Sequence, residues 1–155
     1  METGVLYYKK FERKVLASDY IDWAFYMIHN GMSNPSLNIL VSLTEPLNIF
    51  EVEEYFNRAL NELAIVEPSY EESARQYVRY LLRQIVADPS IAIDNAYAIY
   101  IIAREHCLNE EVIWFEISEM IDDFMYGDNL QNITRTDIDR IIVQESERQL
   151  KNKFV

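Results

Sequence analysis

Signals that begin and end helices recur along the whole chain, and they constrain its fold more than any other feature. In each, a capping side chain precedes apolar residues spaced three and four positions apart. Seven helices predicted in this way begin near Ser18, Asn34, Asn48, Ser69, Ser90, Asn109 and Thr134. Three glycines and four prolines in 155 residues also favour long helices joined by short turns. The predicted fold is all-α, a compact bundle of about seven helices, with paired helices in a short solenoid as the alternative.

The domain organisation follows from the short connections between these helices. No Ser- or Gly-rich linker occurs, so we expect a single helical domain over residues 1–155. Residues 91–103 are apolar on nearly every side, and this pattern predicts a central helix. Residues 1–16 fit either a strand or a first helix. Residues 150–155 are expected to form a frayed basic tail.

The charge of the chain indicates which partners it suits. Its 26 acids against 14 bases give a formal net charge of −12, which repels nucleic acids and anionic membranes and attracts a basic protein. The alternative is that the acids serve solubility alone. The first 14 residues lack the apolar run of a signal peptide, and residues 91–103 are too short to span a bilayer. We therefore expect a cytoplasmic protein.

Motifs for catalysis or for binding a cofactor are missing from the sequence. Neither His29 nor His106 has a glutamate three residues before it, as a di-iron bundle requires. Cys107 follows His106 directly, and adjacent side chains on a helix point about 100° apart. A lone cysteine at such a helix end is typical of a small core residue. With no Gly-rich phosphate loop either, we expect no catalytic residue, metal or cofactor, and hence no enzyme.

Acidic residues are concentrated in the middle of the chain, where eight acids between Glu45 and Glu72 stand against Arg58 alone. Between Asp88 and Asp128 there are ten acids and a single base, Arg104. These acids form either a solvated helix face or a surface for a basic partner. The candidate partner-binding residues are Glu110, Glu111, Glu116, Glu119, Asp122 and Asp123, with Tyr126 as an aromatic anchor.

A cationic row interrupts the acidic regions. Arg75, Arg79 and Arg83 are spaced four residues apart and should share one face of a helix. Such a row can bridge neighbouring acids in an ion-pair network within the protein. It can also bind an anion or a partner.

One stretch of the sequence resembles a known group of proteins. The residues that carry the resemblance are Asp22-Trp23-Ala24, Met27, Gly31, Ser36-Leu37-Asn38-Ile39-Leu40, Glu51-Val52, Tyr55-Phe56 and Leu60-Asn61-Glu62-Leu63. They resemble small helical bacterial proteins of uncharacterised function. The match consists of core and capping positions, so it implies a shared fold rather than a shared activity. Toxin-immunity proteins, which are similarly small, acidic and helical, are the nearest functional analogy.

Two hypotheses of function follow. The first is a non-enzymatic protein-binding module, an immunity protein that neutralises a basic bacterial toxin through its acidic surface. The second is a structural or scaffold subunit, or a homodimer, that buries an aromatic face such as Tyr97, Tyr100 and Trp114. An enzyme with carboxylates in an unfamiliar site is a lesser third alternative.

Overall fold

The computed structural model describes residues 1–130 and 132–152, and these residues form eight α-helices and no strand. The helices are α1 (Thr3–Phe11), α2 (Ala17–His29), α3 (Pro35–Ser42), α4 (Ile49–Glu62), α5 (Tyr70–Ala87), α6 (Ala92–Glu105), α7 (Glu111–Tyr126) and α8 (Arg135–Lys151). A short 3₁₀ turn, Pro89–Ile91, precedes α6. The prediction of an all-α multi-helix fold is confirmed. Of the expected tail, residues 150 and 151 belong to α8, and residues 153–155 lie outside the described part.

The chain divides into two compact units, Met1–Ser73 and Ala74–Val155. We call them unit 1 and unit 2. The boundary falls inside α5, so no loop or change of composition marks it in the sequence. The single domain expected from the sequence stays a prediction.

The core of unit 1 is built around aromatic side chains. Trp23 and Tyr20 of α2 are fully buried and meet the ring of Phe56 on α4 edge-on, with centroids 4.7 and 5.0 Å away. The indole N–H of Trp23 donates to the hydroxyl of Thr3 at 3.0 Å, which fixes the start of α1. Leu6 of α1 is also fully buried in this core. Residues 3–11 are therefore helical, and the ambiguity at the N-terminus is resolved without a local capping signal at Glu2.

Most helix starts agree with the capping residues read from the sequence. The side chains of Asn34, Asn48, Ser69 and Thr134 each accept a backbone N–H of the first helical turn. The predictions at Ser18, Ser90 and Asn109 were wrong, because none of these side chains caps a helix. Near Ser90 the cap is Asp88, whose carboxylate accepts the backbone N–H of Ser90 at 3.0 Å. At the start of α2, the carboxylate of Asp19 instead accepts the backbone N–H of Leu16 at 2.8 Å. Because α2 already begins at Ala17, Ser18 lies within the helix.

Unit 2 is arranged around α6, which packs against both α7 and α8. Its core contains the fully buried side chains of Ile99, Trp114, Ile121, Ile138 and Ile142. In the described parts of the chain, no helix has both the length and the apolar character needed to cross a membrane.

Candidate protein-binding face

The side of α7 that points away from the core of unit 2 carries most of the acids singled out in the sequence. Trp114, Ile117, Ser118 and Ile121 are buried and define the inner side of the helix. The residues on the outer side, which we call the α7 face, are Val112, Phe115, Glu116, Glu119, Asp122, Asp123 and Tyr126. All are exposed except Asp123, which is half-buried.

Five of the seven predicted partner-binding residues share this face, and two do not. Tyr126 is 81% exposed at the end of the helix and is available as an aromatic anchor. Glu111 is half-buried in the first helical turn. Glu110 is only 9% exposed and lines a groove beside α8. An interface on α7 could therefore use the five residues on the α7 face, whereas Glu110 lies in the groove beside α8.

The negative charge of α7 is not compensated within the described residues. The helix has five acids and neither Lys nor Arg. No cation in residues 1–130 and 132–152 forms an ion pair with Glu116, Glu119, Asp122 or Asp123. The acids of α8 differ, since its own bases pair with them: Arg135 with Asp139, Arg140 with Asp137, Arg148 with Glu145 and Lys151 with Glu147. The acids of α8 are thus paired within their own helix, whereas the outer acids of α7 have no ion-pair partner.

The position of the last two acids on α7 is unfavourable for the helix itself. Asp122 and Asp123 lie near its C-terminus, where the helix dipole is negative and favours cations. The carboxylate of Asp122 accepts a hydrogen bond from the hydroxyl of Tyr97 on α6, whereas the side chain of Asp123 has no hydrogen-bond or ion-pair partner among the described residues. The unfavourable placement of Asp123, which nothing offsets, supports a binding role for this acid over a role in stabilising the fold.

Aromatic and apolar side chains border the acids on the side of α6. The ring of Tyr100 lies 5.7 Å from that of Phe115, and the guanidinium of Arg104 lies 5.4 Å from the Tyr100 centroid. Ile101 and Phe115 are 45% and 44% exposed. Phe115 therefore lies outside the buried side of α7, which Trp114, Ile117 and Ile121 form. Acids and exposed apolar groups therefore lie side by side here.

The aromatic surface proposed for self-association needs a correction. Trp114 is fully buried, and its indole N–H donates to the side-chain oxygen of Gln149 at 3.2 Å. It therefore belongs to the core of unit 2. The aromatic surface consists of Tyr97 and Tyr100, both half-buried, and Phe115.

The arginine row of α5 is partly accessible. Arg75 is exposed, whereas Arg79 and Arg83 are half-buried. Each of the three interacts with a neighbouring group. Both interpretations of the row, an internal ion-pair network and a binding stripe, stay predictions.

The described residues contain no group of three His, Cys, Asp or Glu side chains placed to hold a metal ion. Cys107 is exposed, not a core residue as the sequence suggested. Its backbone has a φ of 50° and ends α6 in the left-handed conformation, while the N–H of Leu108 bonds to the carbonyl of Ala103 at 2.8 Å. This geometry turns the side chain outward.

Comparison of the chain with protein-family models, curated proteins and solved structures finds no match. The resemblance of residues 22–63 to small helical bacterial proteins therefore stays a prediction.

Proposed function

We propose that this chain is a non-enzymatic protein-binding module, and that its α7 face binds a basic protein. The observation that carries the proposal is the uncompensated charge of α7, with five acids and no base, beside a helix whose acids are paired. Acids without an ion-pair partner at the C-terminal end of a helix reduce its stability, so their presence requires another explanation. Attraction of a cationic partner supplies one.

The composition of the face suits a protein better than a simple ion. Phe115 and Tyr126 offer exposed apolar area within reach of Glu119 and Asp122, and aromatic groups commonly contribute most to binding energy at interfaces. The surrounding acids would accelerate the encounter and orient the partner. Apolar contact and charge would therefore act on the same surface.

The partner we favour is a cationic bacterial toxin, such as a nuclease, which this protein would neutralise in the cytoplasm. A nuclease needs a positively charged surface to hold phosphates. The carboxylates of the α7 face could occupy that surface in place of the phosphates. This mechanism requires no catalytic group in the present chain.

The experiment compares two charge-reversed baits in a pull-down from the native cell. The face variant has Glu116→Lys, Glu119→Lys and Asp123→Lys. The control reverses three other exposed acids, Glu51, Glu67 and Glu105, and so changes the net charge equally. We expect the wild type and the control to retain one basic protein that elutes at high salt, and the face variant to lose it.

Association kinetics of the purified pair provide the decisive measurement. The face variant should associate at least tenfold more slowly at low salt than the control, since steering by charge weakens when the charges are reversed. Equal rates for the face and control variants would exclude the α7 face as the binding surface.

Self-association is a second candidate, favoured by the exposed apolar area of Ile101 and Phe115 beside Tyr100. Two copies that met through this surface would bring their α7 acids together, and the repulsion favours a different, basic partner. Light scattering over a range of protein concentrations tests this alternative. A monomer at every concentration would exclude the homodimer, whereas a dimer lost in an Ile101→Asp variant would support it.

A further inference from the structure

A groove lies between the beginning of α7 and the end of α8, within unit 2. Its volume is about 410 Å³, within the range of sites that hold small ligands or protruding side chains. The α7 side contributes Glu110, Ile113 and Glu116, and the α8 side contributes Arg148, Gln149 and Asn152. The groove is therefore lined by the apolar side chain of Ile113 and by several polar groups.

Glu110 is the unusual residue of this groove. The residue is only 9% exposed, yet its carboxylate makes no hydrogen bond or ion pair with any residue in the described ranges. Its oxygens are not among the fully buried side-chain polar atoms that lack a partner, so the carboxylate keeps contact with the solvent of the groove. The positive end of the α7 dipole favours the negative charge here but supplies no direct contact, because the side chain does not cap the helix. The carboxylate is thus placed to accept a donor from outside.

The positively charged side chain that lines the groove already has an acidic partner. Arg148 is the one cationic residue among the described lining residues. Its guanidinium donates twice to Glu145, from Nε at 2.7 Å and from Nη2 at 2.6 Å. This two-point contact compensates its charge. Glu110 and Glu116 therefore leave the groove with two uncompensated negative charges.

We propose that this groove binds an arginine side chain of the basic partner, and that Glu110 accepts the guanidinium. The inference rests on the proposed function, since it assumes a basic protein as the partner. A guanidinium suits the site because it is planar, presents five donors and is more weakly hydrated than an ammonium. The side-chain oxygens of Asn109 and Asn152 offer further acceptors, and Ile113 offers apolar contact for the methylene stem.

The test uses N-acetyl-arginine amide as the probe and N-acetyl-citrulline amide as its uncharged control of nearly the same shape. Both are titrated into ¹⁵N-labelled full-length protein and followed by NMR. The arginine probe should shift the amide signals of residues 109–113 and the indole signal of Trp114, which is bonded to the lining residue Gln149. We expect a dissociation constant on the order of millimolar that rises with salt. The citrulline probe should produce no saturable shift.

A matched pair of substitutions tests the role of Glu110. Glu110→Gln removes the charge but keeps the size, and should weaken binding of the arginine probe about tenfold. Asp94→Asn removes an exposed acid from the first turn of α6 and should not alter the affinity. Equal binding of the two probes, equal affinities of the two variants, or shifts confined to other surfaces would each overturn the proposal.

The result for the groove can be separated from that for the proposed function. If Glu110→Gln leaves both probe binding and association with the basic protein unchanged, while the face variant loses that protein, the groove inference fails alone. If the probe binds through Glu110 but the face and control variants capture the same proteins, the proposed function fails and the guanidinium site stands.

Discussion

The phenol of Tyr97 on α6 donates a hydrogen bond to the carboxylate of Asp122 on α7. Burial, followed by the contact with this carboxylate, raises the pKa of Tyr97 above its ordinary value, since a phenolate would lose the bond and face a negative charge. The bond links α7 to α6, the helix that borders the α7 face. Asp122 is therefore held by a neighbouring helix, whereas Glu116 and Glu119 keep the freedom of unpaired side chains.

Tyr97→Phe should lower the free energy of unfolding by about 0.5 kcal/mol, because it removes this bond at a half-buried residue and keeps the ring. Urea denaturation followed by circular dichroism measures the change. Tyr100→Phe is the control, since the hydroxyl of Tyr100 makes no hydrogen bond within the described residues. An equal loss in the two variants would show that the bond to Asp122 contributes nothing.

Stability should fall in alkali because of Tyr20. Its buried hydroxyl lies 2.5 Å from Oε1 of Glu53, and burial together with this carboxylate raises its pKa. The folded state keeps the phenol proton that the unfolded chain releases near pH 10, so the stabilisation is complete below that pH and is lost as the pH rises further.

Tyr20→Phe should therefore show a flatter decline of unfolding free energy above pH 10 than the wild type. Burial also raises the pKa of Tyr7 to about 12, so the double variant Tyr7→Phe, Tyr20→Phe should be flatter still. The measurement is urea denaturation at a series of pH values between about 8 and 11, a range that begins below the ordinary tyrosine pKa. Parallel curves for the three proteins would contradict the prediction.

Asn34 connects the start of α3 to the end of α4. Its Oδ1 accepts the N–H of Leu37 at 2.7 Å as a helix cap, and its Nδ2 donates to the carbonyl of Ala59 at 3.3 Å. Asn34→Ala loses both bonds and should cost about 1–2 kcal/mol in thermal or urea unfolding. Asn34→Asp keeps the cap and loses only the donor, so its cost should be smaller. Equal costs for the two variants would show that the link to Ala59 dominates and that the cap contributes little.

The parts of this fold that the sequence predicted well depend on bonds between near neighbours. Ser69 and Thr134 each bond to a residue three positions later, so the sequence spacing alone indicates the contact. The start of α1 lacks such a bond and is fixed instead by Trp23, twenty residues away. Residues 3–11 consequently had no signal that separated a strand from a helix.

The candidate site, too, could be predicted only where it depends on residues close together in the sequence. The outer acids of α7 could be predicted because their spacing on a helix is fixed. The burial of Glu110 could not, because it depends on residues of α8 near position 149 that line the same groove. The exposure of Phe115 could not be predicted either, because its apolar character alone does not distinguish it from the buried Trp114 and Ile117 beside it. Contacts between distant segments determine both outcomes.

The end of α7 requires glycine at position 127 for reasons of space. A Cβ there would lie 2.5 Å from Oδ1 and 2.9 Å from the carbonyl oxygen of Asp123. Gly127→Ala should therefore cost about 1–3 kcal/mol, as overpacking does. Adding Asp123→Ala removes the side-chain contact but not the backbone contact, so it should recover part of the loss. Urea denaturation of the single and double variants measures this recovery, and additive losses would contradict it.

Gly31 offers a comparison with a different cause. Its φ is +83°, and nothing lies within 4 Å of the added Cβ. Gly31→Ala should cost about 1 kcal/mol through backbone strain alone, and no neighbouring substitution should relieve it. If a neighbouring substitution restored the stability lost in Gly31→Ala, the cause at this position would be steric as well.

The buried bond between Trp114 and Gln149 should make a measurable contribution to unit 2. Gln149 accepts from the indole and donates to Glu145 at 2.6 Å, so it connects the core to the paired acids of α8. Trp114→Phe and Gln149→Leu each leave one buried polar group without its partner, at a cost of about 1–3 kcal/mol beyond any change in packing. The double variant leaves neither end of the bond unpaired, so its cost should be less than the sum of the two by about 1 kcal/mol. Urea denaturation of all four proteins completes the cycle, and strict additivity would mean that the two side chains stabilise the unit only through packing.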